Sequence, residues 1–103
     1  MIARLWHGTT PAAKAKAYLA FLEQRAIPDY ARIPGNRDVR ILHRIEGDIA
    51  HFVTLTYWDS WAAIEAFAGR DVAVAKYYPE DQDFLLEFEP TVQHFDVFPE
   101  TTP

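Results

Sequence analysis

The 103 residues predict one α+β domain of β-α-β-β-α-β order, a split βαβ built on a four-stranded antiparallel sheet. Three observations carry this. Apolar alternation of period two recurs in three separate stretches, helical spacing of apolar residues occurs in two, and Gly, Pro, Asn and Asp clusters divide them. The length suits one domain and is too short for two, which we place over residues 1–98, with residues 99–103 as a tail that has nothing to bury.

Ile2 to His7 reads as the first strand, closed by Gly8-Thr9-Thr10-Pro11. Thr10 before Pro11 is a helix start, since the hydroxyl can cap free amides and proline at the first helical position gives up only an unpaired donor. From Ala12 to Arg25 the residues are strong helix formers, with Ala15, Tyr18, Leu19 and Leu22 on one stripe. Pro28 and Pro34 break or kink the chain beyond Arg25, and Ile33-Pro34-Gly35-Asn36 is a turn. Val39, Ile41, His43 and Ile45 then alternate with Arg40, Leu42 and Arg44 as a second strand.

Glu46-Gly47-Asp48 punctuates a hairpin. A three-residue loop sets His43 opposite His51; a loop of two or four puts them on opposite faces. The third strand runs from Ile49 to Trp58, with Phe52, Thr54, Thr56 and Trp58 on one side and His51, Val53, Leu55 and Tyr57 on the other. Neither side is polar, so both should be covered. Asp59-Ser60 offers an N-cap to a helix from Trp61 to Ala68, stopped at Gly69. Asp71 to Lys76 reads as a short helical piece ended by Pro79, and Glu80, Asp81 and Asp83 as a solvated loop. Phe84 to Phe88 is apolar and ambiguous, and Thr91 to Phe98 is the last strand.

Composition narrows the function. Half the residues are hydrophobic and 15% are aromatic, while a chain this size removes only about two-thirds of its unfolded surface from water. An aromatic-dense core and a partner subunit together account for that apolar area. Net charge is −5, with ten basic residues scattered among fifteen acids, which argues against binding nucleic acid or an anionic membrane, both of which need clustered Lys and Arg. No cysteine is present, so disulfide and thiolate chemistry are excluded. The start lacks the apolar run of a signal peptide, and no stretch approaches a membrane span, which makes the cytosol the expected location.

Two stretches carry a resemblance: the strand-to-helix junction Phe52-Val-Thr-Leu-Thr-Tyr-Trp-Asp-Ser60 continuing through Ala63-Ile-Glu-Ala-Phe67, and Ile33-Pro-Gly-Asn36 before the second strand. In these the chain resembles the antibiotic biosynthesis monooxygenase superfamily over nearly its whole length. The resemblance implies a ferredoxin-like fold and a homodimer in which two sheets face each other as a dimeric α/β barrel. It also implies a pocket between each sheet and its own helices. Such enzymes oxygenate aromatic polyketides without metal or flavin: the protein deprotonates the substrate, holds it in a dry pocket and stabilises the anion. Of their functional Asn, Trp, Tyr and Arg, the Trp matches Trp58, while the other positions hold Thr54, Ile64 and a residue near Tyr78. The haem-degrading relatives use an Asn, a Trp and an iron-ligating His; these positions fall near Arg4, at Phe67 and at Tyr77.

The candidate catalytic residues are therefore Trp58, Arg4 and Tyr78, and the candidate substrate-binding residues are Thr54, Phe67, Tyr77, Trp6 and His94. Alternation places Arg4 with Ile2 and Trp6 on a covered face, where it would face the pocket and stabilise a substrate anion. With no ligand its partner should be a carboxylate, a carbonyl or an ordered anion. Trp58 and the tyrosines would donate hydrogen bonds, Phe67 would form an apolar wall, and His94 could act as a base. No histidine pair has a metal-ligand spacing, so no metal is expected. Three functions stay open: a cofactor-independent monooxygenase-like protein for an aromatic or apolar small molecule, a haem-binding or haem-degrading protein, and a non-catalytic dimeric binding module.

Overall fold

A computed structural model describes residues 1–99; the last four residues of the expected tail lie outside the described residues. Strand β1 is Ile2–Pro11, and a 3-10 turn, Ala12–Lys14, leads into α1, Ala15–Phe21. A π-helical turn, Leu22–Ala26, joins α1 to α2, Ile27–Ala31. Strands β2, Asn36–Glu46, and β3, Ile49–Trp58, form a hairpin followed by α3, Trp61–Ala68. A 3-10 helix, Pro79–Asp83, and β4, Gln93–Asp96, complete the order. All pairings are antiparallel, in the spatial order β2-β3-β1-β4. The predicted ferredoxin-like fold is the fold found.

Several local readings are corrected. Strand β1 runs past His7 to Pro11 because Gly8, Thr9 and Thr10 pair with Phe52, His51 and Ala50. Thr10 therefore caps nothing, and its hydroxyl donates to the Pro11 carbonyl at 3.0 Å. Pro28 does not break the helix. The turn before it widens, with Ile27 N–H bonding the Leu22 carbonyl five residues back, which accommodates a proline that lacks a donor and crowds the preceding turn. The apolar stripe thus continues from Leu22 through Ala26 to Tyr30.

The hairpin loop is two residues, because Glu46 pairs with Ile49. Gly47 supplies the positive φ, 61°, that such tight turns need. His43 pairs with Phe52 and His51 with Arg44, so the two histidines lie on opposite faces. Gly35 also has positive φ, 88°, and a Cβ there would sit 2.4 Å from that of Ala63, so the turn packs directly on α3. The segment 71–76 forms no helix but a single turn, closed by Val74 N–H on the Asp71 carbonyl at 3.1 Å. Val74 bridges Thr91, Ala75 N–H bonds the Pro90 carbonyl at 2.9 Å, and Val92 N–H bonds that of Ala73 at 2.8 Å. Strand β4 is shorter than the expected 91–98 because only Gln93–Asp96 finds partners on β1.

One face of the sheet carries Ile2, Trp6, Phe52, Thr54, Thr56 and Trp58 beneath the helices. One cluster gathers Trp6, Tyr18, Leu22, Phe52, Leu85 and Val92; a second gathers Ile2, Trp58 and Ile64. Full burial of each large side chain stabilises by about 1.5–3 kcal/mol. Ser60 caps α3, accepting from Ala63 N–H at 3.2 Å. The other face, with Leu5, Val53, Leu55 and Tyr57 half-buried and Leu42 and Phe95 exposed, has no covering element among the described residues.

Candidate functional site

A cavity of about 220 Å³ opens between α2, the end of α3 and the segment leading to the second 3-10 helix, lined by Asp29, Tyr30, Phe67, Lys76, Tyr77 and Tyr78. Its walls are aromatic. The Tyr30 and Phe67 centroids are 5.1 Å apart, and Phe67 stacks at 5.4 Å on Trp58. Ionic groups rim it. Lys76 Nζ lies 4.9 Å from the Phe67 centroid and donates to the Phe67 carbonyl at 2.9 Å. Tyr78 hydroxyl donates to Asp29 Oδ2 at 2.7 Å, which with Arg32 and Arg25 holds the Asp29 carboxyl below the usual range. Burial pushes the Tyr78 and Tyr30 phenols up, so both remain neutral donors.

Arg4 lies on the helix side of β1, 3% exposed, with its guanidinium carbon 5.6 Å from the Phe67 centroid. Nη1 donates to the Val72 carbonyl at 2.5 Å and Nη2 to that of Val74 at 3.2 Å. These carbonyls are available because residues 71–76 form no helix that would use them. No carboxylate pairs with Arg4 among the described residues, and burial pushes its pKa down. His94 Nε2 is 3.1 Å from Nη1. Arginine has only donors, so this nitrogen accepts, and burial beside the Arg4 charge holds the imidazole below its ordinary value.

Of the sequence candidates, Phe67, Tyr77 and Tyr78 line the cavity, and Arg4 and Trp58 sit directly behind Phe67. Trp58 is fully buried, and its indole N–H donates to Thr56 Oγ1 at 2.9 Å. Its hydrogen bond is spent inside the protein. Trp6 packs edge-on against Tyr77 at 6.1 Å, with its indole N–H buried and unpartnered among the described residues. Thr54 pairs with Trp6 across the strands. Trp6 stands behind Tyr77, with Thr54 beside it on the sheet, and His94 stands behind Arg4. The Tyr77 hydroxyl donates to the Glu89 carbonyl at 2.5 Å.

Sequence reasoning missed Tyr30, Asp29 and Lys76. The signal for Tyr30 was present: Leu22, Ala26 and Tyr30 recur every four residues, and ending the helix before Pro28 discarded the last of them. The solvated reading of the acidic loop fails at Asp81, which is 3% exposed. Its carboxylate accepts from Tyr18 hydroxyl at 3.1 Å and Tyr78 N–H at 2.7 Å, tying the cavity wall to the core. No group of three or more His, Asp or Glu among the described residues is arranged to hold a metal ion, and no helix there is long and apolar enough to cross a membrane.

No family model and no curated protein matches the sequence. Solved structures do match in fold. A Nitrosomonas europaea protein described as an antibiotic biosynthesis monooxygenase is 15% identical, with 95% of this chain and 99% of that one covered at a TM-score of 0.65. Another antibiotic biosynthesis monooxygenase is 14% identical over 96% and 100%, at 0.63. The haem degrader MhuD of Mycobacterium tuberculosis, with two haems in its active site, is 17% identical over 99% and 100%, at 0.61. From its first strand to its last, this chain carries the fold of the antibiotic biosynthesis monooxygenase proteins.

Proposed function

We propose that this chain is a cofactor-independent, monooxygenase-like protein that takes a small aromatic molecule into the cavity between α2 and α3 and works as a cytosolic homodimer. The aromatic-walled cavity backed by a buried guanidinium without a carboxylate carries the reading. Tyr30, Phe67, Tyr77 and Tyr78 offer flat apolar walls. Arg4 and Lys76, both close to the Phe67 ring, favour negative charge on a bound ring, and in a site of low dielectric that bias is stronger than in water. Asp29, held ionised by Tyr78, Arg32 and Arg25, is a carboxylate able to accept a hydrogen bond from a phenolic hydroxyl, whose proton leaves to solvent. The ionised ring then supplies all four electrons that dioxygen takes up: a ring C–H carbon becomes a carbonyl with one oxygen atom, the other oxygen leaves as water with the two hydrogens the ring gives up, and the phenol becomes a quinone. Trp58 and Thr56 hold Phe67 in place rather than touching substrate.

Haem fits this cavity poorly. Pockets for drug-sized ligands run to roughly 300–1,000 Å³, and this one is smaller. Its Tyr77 and Tyr78 hydroxyls already donate to Glu89 and Asp29. The uncovered sheet face supports the dimer: its apolar residues have no covering element among the described residues, and a second copy over them would also hide the sheet edges.

Titrating 1-naphthol against intrinsic fluorescence, with an oxygen electrode in parallel, tests the proposal. Expected are saturable binding, oxygen uptake that needs the protein, and roughly tenfold weaker binding in Phe67→Ala, the ratio that about 1.4 kcal/mol produces. Binding without oxygen uptake would leave a binding module. A Soret band on adding haem, with no naphthol binding, would replace the reading with a haem protein.

A further inference from the structure

The neutral donors around the cavity are nearly all committed to the protein itself. Tyr77 hydroxyl donates to the Glu89 carbonyl at 2.5 Å, Tyr78 hydroxyl to Asp29 Oδ2 at 2.7 Å, and the Trp58 indole to Thr56 Oγ1 at 2.9 Å. Tyr30 is the exception. It lines the cavity, yet its hydroxyl makes no hydrogen bond among the described residues. The oxygen is not sealed in either, since the only buried side-chain nitrogen or oxygen left without a partner among those residues is Trp6 Nε1. An unpartnered oxygen that is not sealed, on a ring packed against Trp58 and Phe67, opens on the cavity that the ring lines.

The ring is held from two sides, with Phe67 at 5.1 Å and Trp58 edge-on at 6.4 Å and 75°. The π-helical turn Leu22–Ala26 ends four residues before it, and single wide turns of this kind recur at functional sites. Arg4 supplies the charge. Burial holds the Tyr30 phenol above its ordinary value, and the Arg4 guanidinium pulls it the other way. The result is a neutral donor polarised by a cation, and such a donor favours an ionised oxygen, to which hydrogen bonds are about twice as strong as to a neutral one. Lys76, the other cation near Phe67, is exposed at the rim. We propose that Tyr30 is the catalytic hydrogen-bond donor of this site: its hydroxyl takes the ring oxygen of a bound phenol, and Arg4 stabilises the phenolate through Tyr30 without touching it. This rests on the aromatic-substrate reading above and narrows it to ring molecules that carry an oxygen. A donor waiting for that oxygen discriminates against the analogue lacking it, because the donor is then left unpaired. Size agrees: an apolar cavity of about 150 Å³ holds benzene, so 220 Å³ has room for one substituted ring or a fused pair.

The test is Tyr30→Phe in the full chain, titrated with 1-naphthol and with naphthalene, which differ only in the oxygen. Expected are roughly fivefold weaker binding of 1-naphthol at pH 7 and naphthalene binding unchanged within about twofold. The bound naphthol, read from naphtholate absorbance, should ionise about one pH unit higher in the variant, a tenfold loss of preference for the anion. Tm should not fall, because phenylalanine keeps both ring contacts and the missing hydroxyl had bonded nothing. A Tm lowered by several degrees would place the hydroxyl's partner inside the protein and overturn the assignment. Equal 1-naphthol binding by both chains, or an equal loss with both ligands, would overturn it too, while the saturable binding of 1-naphthol by the wild-type chain still upheld the cavity. No saturable 1-naphthol binding by the wild-type chain would overturn both.

Discussion

Tyr18→Phe removes one oxygen atom and tests how the cavity wall is anchored. Tyr18 is 1% exposed, and its ring packs at 5.0 Å on Phe52 and 5.1 Å on Phe84; phenylalanine keeps those contacts. What is lost is the hydrogen bond to Asp81 Oδ1, leaving Tyr78 N–H as the remaining donor to that carboxylate among the described residues. A hydrogen bond to a charged group contributes about 1.5–3 kcal/mol, and a neutral one about 0.5–1.5. We expect a loss of about 2 kcal/mol at pH 7, or roughly 8–16 °C in Tm for a domain of this size. Burial holds the Asp81 carboxyl above its ordinary value, against the pull of its two donors. Its contribution to stability is therefore fully present below the unfolded value of about 3.9 and lost as pH rises through the raised native one. Once Asp81 is protonated it needs the Tyr18 hydroxyl less, so the mutant's deficit should shrink below about 1 kcal/mol at acid pH. Urea unfolding of both proteins at pH 7 and pH 4 measures this. Equal midpoints at pH 7, or the same deficit at both pH values, would refute the reasoning.

Two further outcomes are expected from the fold. Ser60→Ala should cost about 1 kcal/mol by uncapping α3, and an unchanged urea midpoint would show that the cap contributes nothing. Leu55→Arg, on the uncovered sheet face, should convert a dimer burying roughly 1,200–2,000 Å² into a folded monomer by sedimentation; a wild-type chain that already sediments as a monomer at micromolar concentration removes the dimer.

Period-two alternation and the Trp58-Asp59-Ser60 junction were enough to read the element order, because strand and helix periodicities and an N-cap are local signals. Phe67, Tyr77 and Tyr78, which line the cavity, became candidates through the family resemblance, the two tyrosines also by their place just before Pro79. Local signals failed wherever a distant partner outweighed them. Residues 71–76 looked helical until Pro90 and Val92 took their backbone groups, and Asp81 looked solvated until Tyr18, 63 residues away, donated to it. Pro28 looked like a stop, yet one widened turn absorbed it and delivered Tyr30 to the cavity. Composition and alternation alone established an α+β sheet with two apolar faces and a covered Arg4. Which carbonyls receive that guanidinium, and that His7 meets His51 rather than His43, were settled by strand register and a two-residue hairpin loop, since a change of one residue in that loop turns every side chain of a strand to the opposite face.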